Sequence, residues 1–230
     1  MRVWVYAGGG HTEAIGLPRF LRRHFTDTTF HMVTPYRIKP GPNPKAQEGL
    51  QYSGDTGKNL ARSIREKLAY WDGSAQVMLI IDDLDCDDAE RRRTLLLEAA
   101  KSVPEGYPAP VVVIGLAAPE IEAWIIADWG NTMGKDFAPC SREVQKALED
   151  RQIPLEQPED FACIDREGQN IKLSALLKES VEACCIGSYS KAKDSPALLG
   201  KMNPESVAAK CPHFRKFWRE LKRTLEPATT

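Results

Sequence analysis

The stretch Gln76–Asp88, QVMLIIDDLDCDD, decides the fold. Its first half is a continuous apolar run, the mark of a strand covered on both faces, as in a parallel sheet. Its second half places five aspartates within seven positions (Asp82, Asp83, Asp85, Asp87, Asp88). Working upstream, Arg2–Tyr6 reads as a first strand of alternating Val, Trp and Tyr, broken by Gly8-Gly9-Gly10. Thr12 reads as a cap, Ala14 to His24 as an amphipathic helix, and Thr29–Thr34 as a second strand. Residues 35–57 hold four prolines and four glycines and read as a long loop, followed by helical spacing through Leu60, Ile64 and Leu68. Downstream come a Leu-rich helix from Ala89, a buried strand Pro110–Leu116 and a helix through Glu120, Trp124 and Asp128. This alternation predicts an α/β core over residues 1–130 with a mainly parallel sheet flanked by helices. Residues 131–230 read as a mainly helical C-terminal extension packed on that core, with helices near 140–151, 172–183 and 213–221.

Composition narrows the function classes. Lys and Arg number 31 against 32 Asp and Glu in 230 residues, which excludes a whole-chain polycation but not a local basic path for nucleic acid. No stretch approaches the roughly 20 apolar residues of a membrane helix, so no membrane partner is expected. The first ten residues lack a secretory pattern, which predicts a cytoplasmic protein. Six cysteines without a CxxC are then expected to be reduced thiols with no metal.

The aspartates carry the chemistry. Ligands of open parallel sheets bind outside the carboxyl ends of the strands, and carboxylates crowded there repel one another unless a cation joins them. Mg²⁺ suits such hard oxygen ligands, and Asp83 and Asp85 are the first candidates to hold it. Asp87 and Asp88 fit instead a cap on the helix from Ala89. An EF-hand fails, because the loop from Asp83 has Asp88 where glycine belongs and Thr94 where glutamate belongs. A haloacid-dehalogenase DxD normally lies at the first strand. Gly54 to Asn59 is not a P-loop, and Glu13 breaks a GxGxxG pattern, although glycines after a strand do permit close approach to phosphate. Past the next strand, Glu120 and Glu122 diverge by about 200° on a helix. Glu120 is the better ligand, and Glu122 suits a supporting contact or salt bridge. The tail mixes Lys191, Lys193, Lys201 and Arg215 to Arg223 with Phe214, Phe217 and Trp218. That mixture reads either as a nucleic-acid surface or as a core-facing aromatic stripe with a solvated basic face, the helical spacing favouring the stripe.

Taken together, Val5 to Gly10, Asp83-Leu84-Asp85, Glu120-Ile121-Glu122-Ala123-Trp124 with Asp128, Tyr189 with Lys191, and His213-Phe214 to Phe217 resemble a TOPRIM-like bacterial family of unknown function. That family is similar to the nuclease domain of OLD-type endonucleases. The resemblance implies a Mg²⁺-dependent (or Mn²⁺-dependent) nuclease acting on DNA or RNA, tRNA included, as an antiphage-defence effector. It also implies an ABC-type or AAA ATPase partner, and a homo-oligomer is compatible with it. The implied catalytic positions are Ala7, Asp83, Asp85, Glu120 and Lys191, and the implied metal ligands are Asp83, Asp85, Glu120 and Glu122. One departure stands out: the family's first-strand glutamate falls on Ala7. Glu13, about two helical turns beyond the strand, reads as a poor substitute. The resemblance therefore implies a chain inactivated at this position, either as a natural pseudoenzyme or, as the intact neighbours favour, by a Glu→Ala change. The alternative is a non-catalytic binding module that partners an ATPase. A phosphatase or primase-like activity would use the same carboxylates.

Overall fold

The computed structural model of the protein describes residues 1–37, 52–53, 55–163 and 170–226. Most of the expected long loop thus lies outside the described residues. The chain order is β1 (Arg2–Ala7), a π-helical turn (Thr12–Gly16), α1 (Leu17–His24), β2 (Thr29–Thr34), the short β3 (Tyr36–Arg37) and β4 (Tyr52–Ser53), α2 (Gly57–Leu68), β5 (Val77–Asp83), α3 (Ala89–Ala100) and β6 (Val111–Ala117). Among the described residues seven α-helices follow: α4 (Glu122–Ala127), α5 (Met133–Asp136), α6 (Ser141–Asp150), α7 (Leu173–Cys184), α8 (Asp194–Lys201), α9 (Pro204–Lys210) and α10 (Pro212–Leu225).

The main sheet is all parallel, in the order β2-β1-β5-β6, and β3 pairs antiparallel with β4 apart from it. The fold is therefore α/β, as the alternation of elements predicts. The seven residues of β5 are all buried because helices cover both faces. Met78 and Ile80 join Tyr6, Ile114 and Leu116 under α2 and α3. Val77, Leu79 and Ile81 join Val3, Val5 and Ala7 on the opposite layer, with α1, α4, α7, α8 and α10. Asp88 caps α3 by accepting from the Arg91 amide at 2.7 Å, as its position before Ala89 predicts.

The C-terminal aromatics belong to this second layer. Phe214, Phe217 and Trp218 are buried, and their rings meet Phe20, Phe25 and Trp124 at centroid separations of 4.9–6.3 Å. Each such ring contributes about 1.5–3 kcal/mol by burial. Arg215, Lys216, Arg219, Lys222 and Arg223 face solvent. The stripe is core. Among the described residues, no helix is long and apolar enough to cross a membrane.

The expectation of six reduced thiols fails. Cys86 bonds Cys163 and Cys140 bonds Cys185, with Cα atoms 5.9 and 5.5 Å apart, while Cys184 and Cys211 remain free. The partners lie 77 and 45 residues apart in sequence, so tertiary structure alone brings them together.

Candidate functional site

The strand order places a topological switch point between β1 and β5: from β1 the chain moves outward to β2, and from β5 to β6 on the other side. At such a point the strand-end loops diverge and leave a crevice. Three strand ends deliver carboxylates to it.

After β1 the chain continues the ladder for one residue, the Gly8 amide donating to the Ile81 carbonyl at 2.8 Å. Gly9 then adopts φ +76°, and the π-helical turn winds back at once. Glu13 is thereby folded under the glycines, where its Oε2 accepts from the Gly10 amide at 2.8 Å. A Cβ on Gly9 would stand 2.3 Å from that carboxyl group, so only glycine fits there. Asp83 ends β5, and its Oδ1 accepts from the Ile121 amide at 2.9 Å. Glu120 follows β6, with Oε2 accepting from the Ser174 amide at 2.8 Å. Glu122 opens α4 and is wholly buried. Its Oε2 meets the Lys191 Nζ at 3.0 Å, and its Oε1 accepts from Ser195 Oγ at 3.2 Å, which in turn is hydrogen-bonded to the Tyr189 hydroxyl. Thr12 Oγ1 donates to the Lys191 carbonyl at 3.4 Å and so ties the Glu13 turn to the lysine's loop.

These groups feel one another. Burial, and then the Glu13 charge, push the Asp83 carboxyl well above its ordinary range, with Glu122 and Glu120 adding and Lys191 opposing. Burial and Glu122 raise Glu13 to about 7 against its own amide bonds. Glu122 is raised as well, by burial first, against Lys191. Burial works against the charge on Lys191, but Glu122, Asp83 and Glu120 more than reverse this and hold its ammonium above the ordinary range. Among the described residues, four carboxyl groups thus share the charge of Lys191.

Beneath the crevice, Asp82 is buried against Arg92 Nη1 at 2.5 Å and accepts from the Gly57 amide at 3.0 Å. Burial nonetheless raises it to about 6. Arg92 also donates to the Asp83 carbonyl at 2.8 Å and the Leu84 carbonyl at 3.2 Å, which pins the turn that presents Asp83.

The sequence-derived candidates divide accordingly. Asp83, Glu120, Glu122 and Lys191 come together. Asp85 is exposed at φ +46°, its amide donates to the Pro119 carbonyl at 2.9 Å, and its charge acts on Asp82. Asp128 ties the chain elsewhere, accepting from the Asn203 amide at 2.6 Å and Asn131 Nδ2 at 2.9 Å. Ala7 is buried among the apolar side chains of the α1 layer, and Glu13 is the acid beyond β1 whose charge acts on Asp83. The expectation that Glu13 lies too far away is thus corrected. It assumed regular helix after the glycines, whereas the left-handed Gly9 and the π turn reverse the chain.

The donor set is oxygen-only and fits a hard divalent cation. Among the described residues, no three Asp, Glu, His or Cys side chains already surround one point as metal ligands. Lys191 supplies the positive charge in this arrangement.

Fold and site define an α/β protein with an acidic crevice at the switch point of a parallel sheet. Residues 10–222 match the family described as Domain of unknown function (DUF4276), and the chain belongs to that family. Neither a curated protein nor a solved structure matches it significantly.

Proposed function

We propose that this crevice is the active site of a metal-dependent phosphodiester hydrolase, a nuclease on DNA or RNA. One observation carries the reading: acids from three strand ends converge on a lysine, and burial first, then one another's charge, holds the Glu13, Asp83 and Glu122 carboxyls above their ordinary range. Such a site favours additional positive charge. Glu13, Asp83 and Glu120 would hold Mg²⁺ or Mn²⁺, which supplies electrostatic stabilisation of the charge building on the scissile phosphate. Lys191, its side chain 43% exposed, can leave Glu122 and donate to a phosphate oxygen. Ser195 and Tyr189 keep Glu122 oriented while it does so. Since Glu13 fills the role assigned to position 7, this reading no longer requires an inactive chain.

The sequence resemblance to the nuclease domain of OLD-type endonucleases supports the same direction, and with it an antiphage role and an ATPase partner. The test is cleavage of RNA, tRNA, single-stranded and duplex DNA in Mg²⁺ and in Mn²⁺. Glu13→Gln and Asp83→Asn should each lower the rate by about 10²–10³, the scale of losing one electrostatic group at a reacting centre. A protein inert on all four substrates with both metals overturns the reading.

The Lys191–Glu122 pair favours a second reading, a non-catalytic module whose crevice is closed by its own lysine and which works through an ABC-type or AAA ATPase. Calorimetry separates the two: absence of any Mg²⁺ or Mn²⁺ binding supports the module.

A further inference from the structure

The turn after β5 presents Asp83 and has an unusual construction. Two consecutive non-glycine residues, Asp85 and Cys86, sit in the left-handed region at φ +46° and +69°. Aspartate tolerates that conformation, but cysteine holds it only where its surroundings impose it. Here the Leu84 amide donates to the Ala117 carbonyl at 2.9 Å, the Asp85 amide to Pro119 at 2.9 Å, and the Asp87 amide to Leu84 at 2.8 Å. Arg92 adds donations to the Asp83 and Leu84 carbonyls and a pair with Asp87 at 3.4 Å, and a further constraint is covalent: Cys86 itself is bonded to Cys163, far along the chain. Both cysteines line an open cleft of about 520 Å³, together with Leu84, Asp87, Pro119 and Phe161. Cys86 is exposed, and Cys163 is nearly buried at 8%.

We propose that Cys86–Cys163 is a reversible thiol–disulfide latch on the turn that carries Asp83, opened by a dithiol reductant entering this cleft. A reductant thiolate attacks the accessible Cys86 sulfur, and the S–S bond breaks with Cys163 leaving as thiolate. The reductant's second thiol then displaces Cys86, so that two electrons and two protons pass to the cysteines and the dithiol becomes a disulfide. Opened, the turn is free to leave its left-handed conformation, and the Ile121–Asp83 hydrogen bond that it supports loosens. The latch concerns the turn itself and stands whether or not the crevice cleaves phosphodiesters.

The experiment joins thiol alkylation to hydrogen exchange on the full chain, equilibrated across ratios of reduced to oxidised dithiothreitol. In oxidising buffer Cys86 and Cys163 resist alkylation, and the amides of Leu84, Asp85, Asp87 and Ile121 exchange slowly. In reducing buffer both cysteines alkylate, and those amides exchange faster, on the order of tenfold, while amides of β1 and β2 keep their protection. Cys86→Ser shows the fast pattern even when oxidised, and Cys140→Ser, which opens the other disulfide, does not. Should Cys86→Ser misfold, the reduced wild-type chain gives the same reading. Two results overturn the proposal: cysteines 86 and 163 that alkylate fully at every ratio, or a bond that opens without any change in exchange at the turn.

Discussion

Placing a glutamate at position 7 separates the geometry from the motif resemblance. The Ala7 side chain is fully buried, among Val5, Leu17, Phe20 and the other apolar residues of the α1 layer. A carboxylate there would have to be neutral. Ordinary glutamate titrates near 4.3 and each pH unit is worth about 1.4 kcal/mol, so holding it protonated at pH 7 costs about 3.7 kcal/mol. Forcing the extra atoms into a packed layer costs about 1–3 kcal/mol more. An acid group without partners adds about 1–3 kcal/mol. Ala7→Glu should therefore lose about 6–10 kcal/mol, comparable with the 5–15 kcal/mol that holds a domain folded. Thermal unfolding followed by circular dichroism would show Tm lowered by more than about 12 °C. The deficit has a sign in pH. An acid whose carboxyl is raised by folding is harmless below its ordinary range and increasingly destabilising above it, so at pH 5 the neutralisation cost shrinks to about 1 kcal/mol. A variant as stable as the parent at pH 7, and newly active with Mg²⁺, would place the acid at position 7 and refute the role given to Glu13.

Other perturbations test separate parts of the crevice. Arg92→Met strands Asp82 beside the unpaired Oδ1 it already carries, and should cost about 3–5 kcal/mol in denaturant unfolding, with much of the loss restored by adding Asp82→Asn. Gly9→Ala meets both φ +76° and the Glu13 carboxyl at 2.3 Å, so cleavage should fall as far as in Glu13→Gln while circular dichroism still reports a folded chain. Glu159 caps α10 from outside, accepting from the His213 and Phe214 amides at 2.7 and 3.2 Å, and burial raises it to about 7. Its raised carboxyl makes stability fall as pH climbs from its ordinary 4.5 through about 7, so Glu159→Gln should flatten the slope of Tm between those values.

What the sequence makes legible is what a local pattern can carry. The apolar run of β5 and its abrupt end in aspartates locate a doubly covered strand and its carboxyl edge, because burial on both faces leaves no alternation to confuse the reading. Asp88 is recognisable as a cap from its place before the Leu-rich helix. The aromatic spacing of α10 marks a buried face for the same reason. The cysteine pairs are illegible, since no local rule links residues 77 or 45 apart that only the fold makes neighbours.

Glu13 is the instructive case. Two signals stood in the sequence, a run of three glycines just past a strand and an acid three residues after Gly10, yet regular helical geometry directs that acid away from the strand end. A single left-handed glycine reverses the conclusion, and a π turn in place of an α turn completes it. A departure from regular helix also accounts for Glu120 and Glu122. Their side chains do diverge, one to the Ser174 amide and the other to Lys191 and Ser195, but not through the helical spacing expected, since the helix opens only at Glu122 and Glu120 lies in the loop ahead of it. They share a site nonetheless, because Asp83 lies between their reaches and feels both charges. A crevice built in this way depends less on two acids facing one point than on a strand-end aspartate held rigid by Arg92 and the Ile121 amide, around which acids from the neighbouring loops gather.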